Sequence, residues 1–213
     1  MPAPFDLATV DRLLTTTRAV RRRLDLTRPV ARDVLLDCIR LAQQAPSGEN
    51  RQPWRWVVVT DPGVRAALGA ISARGIPAIR ASAATAADPG VYQEAEWLAE
   101  RLGDVPALVL PCVVGRPPAT FVPILCSTIY GSILPAVWSF QLALRSRGLG
   151  SVLTTLHLLF EDEVRALLGI PDDVLQVALL PVAHTKGTDF RAARRPPVET
   201  ITYFDAWERE GRD

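Results

Sequence analysis

The sequence is poor in the side chains that most often carry catalysis. It has two histidines, His157 and His184, and three cysteines, Cys38, Cys112 and Cys126. Neither histidine stands at a metal-binding spacing from carboxylates or cysteines. C-x-x-C is absent, and the three cysteines sit in apolar runs, so they read as reduced core residues of a cytoplasmic protein. No G-x-S-x-G elbow is present, which removes the usual Ser-His-acid hydrolase. Both glycine-rich phosphate motifs, G-x-x-x-x-G-K-S/T and G-x-G-x-x-G, are missing as well. No uninterrupted apolar run approaches the roughly 20 residues of a membrane span. The N-terminal segment carries Asp6, Asp11 and Arg12 and does not read as a signal peptide.

An excess of charge of one sign is also lacking. The 24 basic and 23 acidic residues leave a formal net charge of +1. Long-range attraction to nucleic acid or to an anionic membrane is therefore not expected, and any positive charge that matters must be local. What is present is apolar material: 48% of the 213 residues are hydrophobic, enough for the core of a single domain spanning 1–213. Neither an internal repeat nor an interdomain linker interrupts the chain.

Hydrophobic spacing gives the element order. Residues 6–16 form a first helix, and Arg18 and Arg21–Arg23 follow as a basic run. A second helix is expected from Pro29, with Val30, Val34, Leu35, Cys38, Ile39 and Ala42 on one stripe, ending at Pro46. Trp54–Thr60 is a strand, and Asp61-Pro62-Gly63 starts another helix. Residues 75–90, small and Ala-rich, read as a loop or lid, with a weakly packed helix as the alternative. Val91–Leu102 is helical and Pro106–Val114 is a strand, with Pro111 marking an edge position or a bulge. The segment 124–147 is apolar around most of its circumference, as in a buried central helix, with Gly131 for close packing and Pro135 for a kink. Gly148-Leu149-Gly150 ends it. A charged helix, Glu161–Leu168, leads to a strand over Val174–Val182, and Val198–Phe204 is extended. The fold class is α+β.

Three local features could carry chemistry. Arg18 with Arg21–Arg23, and Arg194 with Arg195, could supply the several charge-assisted donors that a phosphate needs, although each cluster alone also suits a solvated surface. The loop Ala45–Trp54 joins a helix stop, a flexible glycine and several hydrogen-bonding side chains ahead of a strand; an ordinary polar turn has the same composition. Gly148–His157 is a glycine-rich turn followed by two threonines and a histidine. Among its apolar neighbours, His157 reads as a core residue before it reads as a catalyst. No metal site is expected.

Together these motifs resemble the nitroreductase family of flavoproteins, in the family's order from Thr15 to Trp207. Thr17-Arg18-Ala19-Val20-Arg21 is similar to the family's N-terminal basic signature. Ala45–Trp54 is similar to its diagnostic loop A-P-S-x-x-N-x-Q-P-W. Arg147–Ser151, Leu168-Gly169-Ile170-Pro171 and the terminal Arg194-Arg195-Pro196-Pro197 also match. Residues 16–25 and 131–139 look most like actinobacterial-type members.

The resemblance implies a nitroreductase-like α+β fold with a central mixed or antiparallel sheet, and an intertwined homodimer to which segment 198–207 contributes. It implies FMN at the dimer interface. Arg18 and Arg195 (or Arg194) would hold the phosphate, and Arg21 would lie near the flavin pyrimidine edge. Pro46, Ser47 and Asn50 would reach the flavin of the other subunit. Thr154, Thr155 and Leu156 would lie beside the isoalloxazine through backbone groups. Ala19 departs from the serine of many members, and Arg22 is the neighbouring candidate to compensate. The chemistry would be flavin-centred, with no catalytic side chain required. The expected cycle is ping-pong, NAD(P)H giving up hydride and leaving before an electron-poor acceptor such as a nitroaromatic or quinone binds in the same cleft. Residues 75–90 and Val114–Thr120 are the candidates for shaping acceptor choice. The same scaffold would also serve a flavin-dependent dehydrogenase or oxidase tailoring one small molecule, or a non-catalytic FMN-sequestering protein.

Overall fold

The computed structural model describes residues 4–84, 89–118, 120 and 122–207. Its sheet contains Trp54–Val59 (β1), Ala107–Val114 (β2), Leu149–Ser151 (β3), Val174–Gln176 (β4) and Leu180–His184 (β5). The order is β1-β2-β5-β3, with β4 also paired to β2, and the named ladders are antiparallel. Two isolated parallel bridges, Ala19 to Ser151 and Gly115 to Val174, make the sheet locally mixed.

β2 positions the rest. Its sequence, ALVLPCVV, is apolar on both faces, as a strand covered on both sides must be. Ala107, Val109 and Val113 pack into one core with Arg32–Ala42 (α2) and Pro123–Ser146 (α6). Leu108, Leu110 and Cys112 face a second core with Pro62–Ala73 (α3), Pro89–Glu100 (α5) and Glu161–Leu168 (α7). The strand alternation thus divides the helices into two layers.

Pro111 is therefore not at an edge. β2 is central, and the proline is accommodated at the bulge allowed by the alternative reading. Val109 pairs with Leu180 and Cys112 with Gln176, so residues 110–111 oppose three residues, 177–179. The Val177 N–H donates to the Pro111 carbonyl at 3.1 Å. The expected single strand over 174–182 is broken into β4 and β5 at the same place. A proline supplies an acceptor but no donor, which suits a position where the ladder is already interrupted.

Other boundaries differ from the sequence expectation. α2 begins at Arg32, because the chain is still extended at Ala31, and it ends at Ala42. Val30 is buried outside the helix. The Ala-rich stretch contains a helix, Ile76–Ala83 (α4), with Pro77 in its first turn and Ile79 buried. Residues 85–88, within the expected loop or lid, lie outside the described residues, as does residue 119 of the second acceptor-shaping candidate. Val198–Ile201 forms a short 3-10 turn in place of an extended run.

α6 corrects a further expectation. Ser132, Ile133, Ala136, Val137, Phe140, Ala143 and Leu144 form its buried stripe at helical spacing. The opposite face, with Ile124, Leu134 and Trp138, is 73%, 41% and 44% exposed, so the helix is central on one side only. By length and composition it could span a bilayer, but its stripe belongs to the core against α2 and β2. Gly131 provides no close approach, since a Cβ there would meet nothing within 4 Å.

The tight contact is elsewhere. A Cβ on Gly69 of α3 would lie 2.6 Å from the backbone N of Gly103. Alanine normally gains about 1 kcal/mol over glycine inside a helix. Backbone overlap should outweigh that gain, so Gly69→Ala is expected to destabilise the fold by on the order of 1–3 kcal/mol net. A Tm equal to or above that of the parent would show that α3 and the 102–104 turn separate cheaply.

Candidate functional site

The N-terminal basic segment is fixed by two apolar anchors. Val20 and Leu24 are 4% and 0% exposed. The Val20 N–H donates to the Ser151 carbonyl at 3.0 Å, and Leu24 bridges to Thr185 beside β5. The adjacent arginines are thereby sent to different surroundings. Arg22 donates to Glu94 at 2.5 Å and lies over the Trp97 ring at 5.3 Å, both on α5. Arg23 pairs with Asp189 at 2.5 Å and stacks on Phe190 at 4.1 Å, a ring it shares with Arg145.

Arg21 has no such partner. It lines a cavity of about 370 Å³ between α3, α4, α5 and residues 153–159. Burial draws its pKa below the ordinary arginine value, while the Glu94 carboxylate pulls it back. Among the described residues its guanidinium makes no hydrogen bond. A cation held in a mostly apolar cavity without an acceptor is costly unless a ligand completes it.

The neighbouring wall is rigid and offers donors. Thr154 exchanges backbone hydrogen bonds with Leu179 at 3.0 and 2.9 Å, and its hydroxyl donates to the Leu179 carbonyl at 2.7 Å. Thr155 and Leu156 then open a 3-10 turn, Leu156–Phe160, so their own N–H groups precede its first internal bond. No acceptor meets either N–H among the described residues. Arg21, Thr154, Thr155 and Leu156, four of the residues expected at the site, therefore line one cavity.

The others lie elsewhere. The Arg18 guanidinium donates to the Arg191 carbonyl at 3.1 Å, which brings the N-terminal signature against the C-terminal segment bearing Arg194 and Arg195. Among the described residues Arg195 reaches only the carbonyl of Arg194, at 3.2 Å. Among the described residues, Arg18, Arg194 and Arg195 form no ion pair. Pro46, Ser47 and Asn50 do not line the cavity. Their loop is seated on α6, where the Gly48 N–H donates to Ser132 Oγ at 2.9 Å and a Cβ on Gly48 would press within 2.7 Å of Thr128. Ser47 Oγ accepts the Gln52 N–H at 3.0 Å and Asn50 Oδ1 accepts from the Gln52 amide at 3.1 Å, so both side chains help to hold the turn. Glu49, Asn50 and Gln52 all have left-handed φ, at 53°, 53° and 50°. Three such non-glycine residues in four positions store strain of the kind concentrated at binding loops.

The remaining candidates are inert. His157 is fully buried, with neither ring nitrogen bonded, and burial lowers its pKa to about 4 against the pull of Glu161. It does not line the cavity. Burial, with a smaller push from Glu161, raises the Cys112 thiol to about 12, so it is no nucleophile at neutral pH. No group of His, Cys, Asp and Glu arranged for a metal occurs among the described residues.

The sequence pattern of the nitroreductase family matches residues 14–184. The chain belongs to that family. No curated protein matches it. Among solved structures of the same fold is a BluB-like flavoprotein from Clostridium difficile 630, with a TM-score of 0.71 and 19% identity, covering 92% of this chain and 98% of that one. Iodotyrosine deiodinase bound to FMN and 3-iodo-L-tyrosine gives 0.71 and 23%, covering 93% and 100%. The FMN and NADPH-dependent nitroreductase NfnB from sphigopyxis sp. strain HMH gives 0.68 and 21%, covering 92% and 99%. The shared fold is α+β, its mostly antiparallel sheet packed by helices. Within this nitroreductase-family chain, sequence reasoning missed Ser72 and Tyr92, which line the same cavity, whereas Ile79 falls within the 75–90 stretch it had singled out. Only Ser72 left a signal, a hydroxyl following Leu68 and Gly69 on the buried stripe of α3.

Proposed function

We propose that the protein is an FMN-dependent oxidoreductase that uses NAD(P)H to reduce electron-poor acceptors such as nitroaromatics and quinones. The observation that carries this reading is the half-buried Arg21 sharing a cavity with Thr155 and Leu156, while its guanidinium and their N–H groups meet no acceptor among the described residues. An apolar cavity with one cation and two amide donors suits a planar ligand with a carbonyl-bearing, electron-accepting edge, as the flavin pyrimidine ring has. Arg18 with Arg195 or Arg194 offers planar, unpaired forks for a phosphate. Ala19 contributes no hydroxyl there, and Arg22 is spent on Glu94, so in this reading the phosphate relies on those arginines. Bound FMN would supply the redox chemistry, with hydride received from NAD(P)H and passed on to the acceptor in ping-pong order. The protein's part is to hold the cofactor, keep positive charge at its pyrimidine edge and shape the space over it.

The active unit in this reading is a homodimer. Its support is the exposed apolar face of α6 together with Val198, Phe204 and Trp207, at 63%, 80% and 78% exposure, more than an isolated soluble chain normally leaves in water. Pro46, Ser47 and Asn50 would then serve the partner's cavity. The free cysteines suit a cytoplasmic setting. The likeness of residues 16–25 and 131–139 to actinobacterial-type members belongs to the same proposal.

The test is the visible spectrum of the purified protein, taken with its sedimentation behaviour. A yellow dimer whose flavin bands bleach anaerobically with NADH or NADPH, and return on adding a nitroaromatic or quinone, is the expected result. A yellow protein indifferent to both nicotinamides would overturn the reductase and favour a tailoring oxidase or a sequestering protein. A colourless chain that cannot be loaded with FMN would remove the cofactor reading altogether.

A further inference from the structure

A second cavity lies in the layer of α2 and α6, away from the Arg21 cavity. It measures about 400 Å³, within the range of small-molecule sites. Three elements meet there: Arg28 precedes α2, Arg147 closes α6, and His184 ends β5. Its charged groups are both cations. Arg28 and Arg147 are exposed, and among the described residues no acidic side chain lines the cavity. The nearby carboxylates are committed elsewhere. Asp25 accepts the Thr27 N–H at 3.0 Å and its hydroxyl at 2.7 Å, Asp33 accepts the Val34 N–H at 2.9 Å, and Asp37 pairs with Arg40. Neither arginine joins an ion pair among the described residues, and the Arg28 guanidinium makes no hydrogen bond there. Arg147 is tied through Nη1 alone, to the Ala143 carbonyl and the Ser146 hydroxyl, both at 3.1 Å. Burial first, and then the positive charge of Arg28, hold His184 below its ordinary value, so its ring is uncharged at neutral pH. The floor is apolar and open to a solute, for Pro29 and Ala31 are exposed and Val34 is half-buried. Isolated surface arginines are ordinarily just hydrated. Two that share a concave apolar floor, with no carboxylate between them, match a ligand of opposite charge with an apolar body.

We propose that this cavity is a second ligand site, taking a small organic carboxylate whose anionic group is held by Arg28 and Arg147 and whose apolar body rests on Pro29, Ala31 and Val34. Two guanidinium forks suit the two oxygens of a planar carboxylate. A phosphate dianion would call for more donors than two arginines and a neutral imidazole offer. The inference stands apart from the oxidoreductase reading, since the site shares no residue with the Arg21 cavity or with Arg18, Arg194 and Arg195.

The experiment uses the protein as purified and three probes, followed by calorimetry. They are 4-isopropylbenzoate, its neutral counterpart 4-isopropylbenzamide, and inorganic phosphate, which has charge without the body. The benzoate is expected to bind at least about tenfold more tightly than either of the others. Arg28→Gln and Arg147→Gln should each weaken it about three- to tenfold, exposed guanidiniums keeping only part of a charge-assisted bond. Both side chains are exposed, so the Tm of these variants should stay near the parent's. Arg32→Gln is the control for diffuse charge. Arg32 donates to Thr60 at 3.4 Å and does not line the cavity, so its loss should change the affinity less than about twofold. Arg21→Ala should leave benzoate binding unchanged. No detectable binding of the benzoate, equal binding of the benzamide, or an equal loss from Arg32→Gln would overturn the proposal. A loss confined to Arg21→Ala would also overturn it, by placing the carboxylate in the other cavity, and phosphate binding as tightly as the benzoate would overturn the carboxylate class. Nicotinamide bleaching decides none of these outcomes. A protein that fails to bleach and still loses benzoate through Arg28 and Arg147 keeps this site without the oxidoreductase reading, and one that bleaches without such a loss keeps only the oxidoreductase.

Discussion

Arg21→Ala is expected to lose FMN about ten- to hundredfold more readily than the parent chain while folding normally. A charge-assisted hydrogen bond contributes about 1.5–3 kcal/mol, and about 1.4 kcal/mol is a tenfold change in Kd. The fold should tolerate the change because no hydrogen bond holds the guanidinium within the described residues, and burial of the charge already works against it. Removing it relieves that desolvation, so Tm should stay level or increase. Arg21→Lys restores the charge without the planar fork and should recover part of the affinity. Arg22→Ala is the informative control. It breaks an exposed pair with Glu94, worth less than about 1 kcal/mol, and should leave flavin content untouched. Flavin absorbance per mole of protein after dialysis decides the matter. If Arg22→Ala loses the cofactor and Arg21→Ala keeps it, the two neighbours have been assigned the wrong roles.

That contrast also marks how far the sequence could be read. The basic run was legible as a candidate phosphate or flavin site; the family signature reaches Arg21, and Arg22 entered only as a neighbour that could compensate for Ala19. The resemblance placed Arg21 at the flavin edge, but the residues alone did not show which of the two faces the cavity, because that depends on Val20 and Leu24 being pinned to Ser151 and Thr185, residues more than a hundred positions away. The stripes of α2 and α6 were visible because helical periodicity is local. The exposed back of α6 was not, since an all-round apolar helix looks the same whether its second face meets its own chain or another. Pro111 announced a break in pairing, and only the three-against-two register opposite it distinguished a central bulge from an edge. The Ala-rich stretch left loop and helix open, and α4 emerged through the burial of Ile79. Ser72 left a local sign, its place on the buried stripe of α3, but that it lines a cavity emerges only when α3, α4 and α5 enclose the space.

His157 gives the second large effect. The unfolded chain should protonate this residue near its ordinary value of 6.5, whereas burial holds the folded-state value at about 4. The folded core thus refuses a proton that the unfolded chain accepts. Stability from this source is complete above about pH 6.5 and is lost as pH falls toward 4. The slope is about 1.4 kcal/mol per pH unit and the total on the order of 3 kcal/mol. His184, lowered mainly by burial and then by Arg28, acts in the same direction. Glu161 has a depressed pKa, held down by Arg116 against its own burial, and loses its contribution as pH falls below the carboxylate range. The window between about 4.5 and 6.5 therefore belongs to the histidines. Since both ring nitrogens of His157 lack partners, His157→Leu removes an unsatisfied polar group along with the titration. Urea unfolding from pH 7.5 to 4 should show a steep loss of stability in the parent chain and a much flatter curve in the variant, the gap widening by about 2–3 kcal/mol toward the acid end. Parallel curves would mean that His157 takes up its proton in the folded state, with Glu161 stabilising the charge, and that the core around α7 is wetter than its burial indicates.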